Sequence, residues 1–307
     1  MPSLSVARNA NAAFTPTYVP VMVVTGATAG IGQAMAEAFA RHQHGRVHII
    51  LIGRNRQAAE ATIASLPKSE DSTYEFFQCD LTLMKNIHAM TKDLLTRLPK
   101  INFLVHCAGY ADLKGRIDTE EGIDMKLAAR YYQKFALTYD LLPLVRKAKE
   151  LGEAASVIDP FGAGMPSSFI DMELGDLGLK KSYSAWRALF FSGTYNDLMM
   201  AEFARREPEI AFVYTSVGAV YTSILTTSNP ILWVLFLPLR PLFWLLMTSA
   251  PVCAEYMLFA MLDADKGFHR RDQRGNDIGM KNFPQVENAQ RLLWEHSVVE
   301  TRVQVEE

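Results

Sequence analysis

The stretch that most constrains this chain is Thr25-Gly26-Ala27-Thr28-Ala29-Gly30-Ile31-Gly32. An apolar, β-branched run, Val19-Pro20-Val21-Met22-Val23-Val24, precedes it and reads as a buried strand. After it, Ile31, Met35, Ala38 and Phe39 recur at helical spacing. The glycines therefore sit where a strand turns into a helix, the context that separates a nucleotide loop from a chance cluster. Glycine removes the Cβ that would hold a backbone away from a pyrophosphate. The helix start offers unpaired N–H groups and the positive end of its dipole to phosphates.

The 307 residues leave room for one large α/β domain or two small ones, and a 49% hydrophobic content supplies a sizeable core. A net charge of −2 gives no pull on nucleic acid. Cys79, Cys107 and Cys253 are widely spaced and form neither a metal pattern nor a disulfide framework, so a reducing, cytoplasmic setting is expected and no metal. Residues 1–17 are polar and alanine-rich without an apolar signal core, and read as a flexible N-terminal arm.

Further strands are expected at 47–52, 74–79, 102–107, 154–158 and 210–215. Helices are expected at 57–66, 84–98, 120–150 and 186–206. Strands alternating with crossover-length helices predict a Rossmann-type α/β fold, a doubly wound parallel sheet, as a single domain over 18–290 with a tail at 291–307. Residues 229–251 are strongly apolar, but Pro238, Arg240 and Pro241 interrupt them, which predicts two short helices rather than a membrane span. An apolar lid (about 225–260) over a bulky apolar small molecule is the preferred reading. Peripheral membrane contact through 229–250 or a homo-oligomer interface is the alternative. Lys266, His269, Arg270, Arg271 and Arg274, mixed with aspartates, read as a solvated loop.

The spacing Thr-Gly-x3-Gly-Ile-Gly resembles the short-chain dehydrogenase/reductase family, and the resemblance runs over about residues 18–225. It implies that Thr25, Gly26, Thr28, Gly30, Ile31 and Gly32 meet a dinucleotide. Arg54, at the end of the second strand, stands where a 2′-phosphate would lie and favours NADP(H). Asp80 matches the family's adenine-facing Asp, with Leu81 beside it. Ala108-Gly109 keeps the small pair under the cofactor, although His106-Cys107 replaces the usual Asn pair. Val217-Gly218-Ala219-Val220-Tyr221-Thr222 resembles Pro-Gly-x-Val-x-Thr, whose Thr, here Thr222, holds the nicotinamide carboxamide.

The family transfers hydride with Asn, Ser, Tyr and Lys, and here the resemblance breaks down. Tyr183-Ser184-Ala185-Trp186-Arg187 offers Tyr-x3-Arg in place of Tyr-x3-Lys. Aligning the helix end Glu202-Phe203-Ala204-Arg205-Arg206 with the family's Glu-Leu-Ala-Arg-Arg instead puts the Tyr at Leu189 and the Lys at Gly193, keeping Ser192 and Asn196. The family Ser falls at Asp159 and the Asn at Arg130 or Tyr131, so a neutral pair has become Arg130–Asp159. Buried, these charges would need each other.

General acid help is worth roughly 10²–10⁴-fold, and Leu189 cannot supply it. Two routes avoid the loss: hydride transfer to an iminium-type cation stabilised by Asp159, or a redox-neutral cyclisation or isomerisation with Asp159 as base and Arg130 holding an anion. This is similar to family members from fungal natural-product pathways. The leading expectation is an atypical NADP(H)-binding enzyme of secondary metabolism acting on a bulky apolar substrate without the Tyr–Lys dyad. The alternatives are an ordinary NADPH carbonyl reductase using Tyr183 and Arg187, and a catalytically dead nucleotide-binding scaffold.

Overall fold

The computed structural model describes residues 2–109, 114–165, 174–221 and 247–302. Its centre is a seven-stranded parallel sheet in the order β3-β2-β1-β4-β5-β6-β9. The strands are β1 (Val21–Thr25), β2 (His48–Gly53), β3 (Thr73–Gln78), β4 (Phe103–His106), β5 (Ser156–Phe161), β6 (Ala211–Ser216) and β9 (Gly267–Arg271). A two-residue pair, β7 (Val220–Tyr221) with β8 (Thr248–Ser249), stands apart. The order reverses between β1 and β4, and ligands of open α/β sheets bind at the carboxyl ends of the strands at such a switch point.

Period-two burial splits the core. Met22, Val24, Val105 and Ile158 face α2 (Gly30–His42) and α8 (Ala250–Leu262). Val21, Val23, Leu104 and Val157 face the side of α4 (Met84–Arg97), α6 (Gln133–Glu150) and α7 (Ala185–Arg206). Helix α3 (Arg56–Ser65) links β2 to β3, starting on an Asn55 side chain that accepts from Ala58 N–H. Ahead of α6, a short α5 (Met125–Leu127) passes into a π-helical turn over Ala128–Tyr132, where the Gln133 N–H reaches back five residues to the Ala128 carbonyl.

Both expected termini are instead packed helices. Residues 4–13 form α1, capped by Ser3; Ala7 and Asn11 are buried against α8. Asn11 binds the Glu255 carboxylate at 3.0 Å, and Arg41 and His42 bind it at 2.9 Å each. Ala7 and Asn11 are the buried residues of α1, a pattern too sparse for hydropathy to reveal. At the other end α9 (Ala289–Thr301) lies on α6 and α7, with Trp294 against Phe135 at 5.0 Å and Phe203 at 4.9 Å between ring centres.

The expected solvated loop contains β9. Arg270 is 2% exposed and grips Asp197 of α7 with two hydrogen bonds of 2.8 and 2.7 Å. The charge of that strand therefore points inward as well as outward, which composition does not show. Residues 250–262 are a core helix behind the sheet rather than part of a lid. Thr222 and most of the apolar 229–250 stretch lie outside the described residues. Among the described residues no helix is long and apolar enough to cross a membrane.

His88 of α4 ties α9 down. One ring nitrogen meets Asp140 at 2.7 Å and the other the Thr301 carbonyl at 2.7 Å. The hydrogen bond to Asp140 raises the His88 pKa above its ordinary value. A raised pKa in the folded state adds stability that is complete below about pH 6.5, the unfolded value, and fades as pH rises through the folded value. The melting-temperature gap between wild type and His88→Gln is therefore expected to be wide at pH 5.5 and to narrow through neutral pH into the alkaline range, as differential scanning fluorimetry can check.

Candidate active site

At the carboxyl ends of β1 and β4 the backbone is packed too closely for side chains. Gly26 has φ +66°, and a Cβ there would lie 2.6 Å from the Ala108 nitrogen. A Cβ on Gly32 would lie 2.6 Å from the Gly26 carbonyl oxygen. Thr25, fully buried, fixes the crossing: its hydroxyl donates to Val105 O and accepts from Ala108 N–H, both at 3.3 Å. Helix α2 starts after Ala29 with no side-chain cap, with Gly30 at φ +65° and Ile31 and Gly32 in its first turn. Thr28 packs its methyl against Gly53 at the end of β2, where a Cβ would come within 2.9 Å. A Cβ on Gly109 would meet no atom of the described residues within 4 Å.

Arg54 follows β2 and is exposed. Asp80 follows β3; its Oδ1 accepts from the Thr82 N–H (3.0 Å) and hydroxyl (2.8 Å), and Leu81 beside it is buried. Past β6, Val217 packs on the α8 side, Gly218 has φ +64°, and Val220 begins β7.

Next to this cradle α6 lays a ladder of polar side chains across β4 and β5. Thr138 bonds His106 at 2.8 Å, Gln133 donates to Ala108 O at 3.0 Å, and Lys134 donates to Asp159 Oδ1 at 2.7 Å. One turn earlier, in the π turn, the Arg130 guanidinium lies 4.5 Å from the Phe161 ring centre, and Lys134 Nζ lies 4.3 Å from the same ring. Arg130 Nε also donates to Ser192 Oγ at 3.1 Å, and Asn196 donates to the Arg130 carbonyl at 3.0 Å. Positions 130 and 134 are one helical turn apart, so both cations share the face toward the sheet.

The expected Arg130–Asp159 pair is not what forms: the partner of Asp159 is Lys134. Strand β5 runs through Phe161, so Asp159 lies inside the strand, 0% exposed, while Phe161 occupies its end. Pro160 is tolerated there because β4 pairs with β5 only as far as Val105–Ile158. Burial raises the Asp159 pKa and lowers that of Lys134. Burial also pushes Arg130 down to about 10 and His106 down to about 3, leaving His106 neutral. Asp159 Oδ2 and His106 Nδ1 are buried with no hydrogen-bond partner among the described residues.

Leu189 and Gly193 fall on α7. A Cβ on Gly193 would stand 3.8 Å from the Tyr214 hydroxyl and 4.0 Å from the Phe161 ring, so position 193 faces the end of β5. The Tyr214 hydroxyl donates to Gly193 O at 3.0 Å. Tyr183 precedes α7 and lies under Arg116 and Lys126, 5.9 and 5.6 Å from its ring centre. Arg187 donates to Ser182 O at 3.1 Å and lies over the Phe191 ring at 5.3 Å.

A short chain dehydrogenase family model matches residues 20–149. Oxidoreductase AN1596 of Emericella nidulans is 32% identical over 231 residues, which cover 75% of this chain and 67% of that protein. The chain belongs to the short-chain dehydrogenase family. Mouse (Mus musculus) polyprenol dehydrogenase is 26% identical over 92% of this chain and 85% of its own length. The NADPH-bound carbonyl reductase from chicken fatty liver superposes with a TM-score of 0.60 at 16% identity, over 85% of this chain and 99% of that one, a likeness of fold.

This short-chain dehydrogenase has a cradle that fits a nicotinamide dinucleotide. The uncapped α2 start can take a pyrophosphate, and Gly109 brings no side chain to the neighbouring backbone. Sequence reasoning missed Lys134 and Phe161. The only signal for Lys134 was its place one turn after Arg130, facing the same way.

Because Lys134 and Asp159 are 1% and 0% exposed, removing one partner strands the other's charge. Lys134→Met is expected to cost about 3–5 kcal/mol of unfolding free energy. Adding Asp159→Leu to it is expected to return stability to the wild-type level or above. Urea unfolding of the single and double variants checks both statements.

Proposed function

We propose that this short-chain dehydrogenase is an NADP(H)-dependent oxidoreductase that interconverts a carbonyl and an alcohol on a bulky apolar molecule, with Arg130 in place of the Tyr–Lys dyad. The observation that carries the reading is the charged cluster at the end of β5. Among the described residues two cations, Lys134 and Arg130, stand with one carboxylate, Asp159: Lys134 donates to it at 2.7 Å, and the Arg130 guanidinium, bonded through Nε to Ser192, lies 4.5 Å from the Phe161 ring centre at the end of β5. Such a site favours a reacting atom that becomes negative and opposes one that is already cationic. The iminium route and the route with Asp159 as base both lose support, because Asp159 is fully buried and already held by Lys134.

Thr25 through Gly32, Arg54, Asp80, Leu81, Ala108, Gly109, Val217, Gly218 and Val220 would hold the cofactor, with Thr222 from the sequence motif. When bound, the reduced cofactor supplies a hydride. As the new C–H bond forms at the carbonyl carbon, the π pair moves to oxygen. Arg130 holds that oxyanion, and its charge persists at neutrality, since burial lowers its pKa only to about 10. Solvent water delivers the proton to oxygen. Lys134 keeps Asp159 from cancelling the Arg130 charge, and Ser192 steers the guanidinium.

Support for the apolar substrate comes from the 229–250 sequence and from the likeness to a polyprenol dehydrogenase. Arg54 supports NADP(H), since a guanidinium after β2 suits a 2′-phosphate. The fungal relative, named an oxidoreductase, supports redox chemistry.

The test combines NADPH-linked turnover of apolar ketones of increasing size with calorimetric binding of NADPH and NADH to wild type and Arg54→Ala. Turnover is expected to rise with apolar bulk. Losing one charge-assisted phosphate contact is expected to weaken NADPH by at least about tenfold, with NADH unchanged. Absence of binding of either cofactor, or binding without turnover of any ketone or alcohol, would overturn the proposal.

A further inference from the structure

The π turn that carries Arg130 is held from behind. Tyr131 and Tyr132, both 0% exposed, point away from the sheet toward α9. The Tyr131 hydroxyl meets Ser297 Oγ at 2.7 Å, and the Tyr132 hydroxyl meets His296 Nε2 at 2.7 Å. Ser297 spends its own proton on the Leu293 carbonyl, also at 2.7 Å, so Tyr131 is the donor and Ser297 the acceptor. Burial keeps both phenols protonated and lowers the His296 pKa, so the contact is neutral to neutral. Helix α9 is in turn fixed at its far end by His88 on the Thr301 carbonyl and at its middle by Trp294 among Phe135, Tyr139 and Phe203.

A π turn adds a residue to the helical repeat, so it resets which side chains face the sheet, and such turns concentrate at functional sites. Here the reset places Arg130 on the sheet side and the adjoining tyrosines on the opposite side. A relaxation of residues 128–132 to ordinary α-helix would rotate this segment by about a quarter turn relative to α6 and carry Arg130 off the Phe161 ring. The two hydrogen bonds to α9 oppose that rotation at its pivot.

We infer that Ser297 and His296 of α9 are positioning residues for Arg130, acting through Tyr131 and Tyr132 to lock the π turn. The inference rests on Arg130 being the group that faces the substrate. It makes the far C-terminal helix, which lies outside the matched family model, a working part of the reaction centre.

The test is amide hydrogen exchange of the full chain without ligand, for wild type, Ser297→Ala, Tyr131→Phe and the double variant, read over residues 126–134. Each single change is expected to speed exchange there by about three- to tenfold, with β1 and β4 unchanged, and the double variant is expected to go no further. With NADPH and a bulky apolar ketone, Ser297→Ala is expected to lower kcat while leaving the NADPH dissociation constant at its wild-type value. Unchanged exchange at 126–134 in both single variants would overturn the clamp, as would faster exchange with kcat untouched while Arg130→Met abolishes turnover. Faster exchange combined with full activity of Arg130→Met would instead remove the substrate-facing role of Arg130 and leave the clamp as a structural lock.

Discussion

The Lys134–Asp159 ion pair sets the character of the candidate site. It joins α6 to β5 at 2.7 Å with almost no exposure on either side. Removing one charge from such a pair is strongly unfavourable, whereas the intact pair contributes little net stability over an apolar one. Its importance lies in specification: it fixes the register of α6 across the sheet, and with it the positions of Gln133 on Ala108 and Arg130 on Phe161. Among the described residues Asp159 is the carboxylate bonded within that cluster, and Lys134 holds it.

The second constraint is the backbone contact between the glycine loop and the end of β4. Gly26 and Gly32 allow β1, α2 and Ala108 to approach within distances that a Cβ would forbid. That contact and the α6 ladder meet at Ala108, which gives its N–H to Thr25 and its carbonyl to Gln133. The cofactor cradle and the charged cluster are thus one rigid unit. The family fold keeps its glycine-loop turn, and the charged cluster on α6 and β5 lies beside it, at the sheet end where the fold places ligands.

The parts of the structure that were legible in the sequence are those governed by local pattern. β1, β2, β3 and β6 announce themselves through apolar runs, and α7 through its periodicity and polar end. What escaped was set by tertiary contact. β9 carries Arg270 inward because Asp197 waits across the interface, a pairing no window of sequence contains. Helices α1 and α9 dock through small or polar residues such as Ala7, Asn11 and Ser297. At the site, Arg130 and Asp159 were identifiable by position in the family pattern. Their partners were not, because a lysine one turn along a helix is normally a surface residue, and its burial follows from β5 carrying Asp159 inside the strand rather than after it.

The most direct measurement is steady-state reduction of a bulky apolar ketone by NADPH in Arg130→Met and Tyr183→Phe, with cofactor binding measured in parallel to show that both variants are folded. If Arg130 stabilises the oxyanion, Arg130→Met lowers kcat by about 10²–10³-fold, binds NADPH normally, and Tyr183→Phe behaves as wild type. Loss of turnover in Tyr183→Phe with Arg130→Met fully active would contradict the account and return the chemistry to a tyrosine acid.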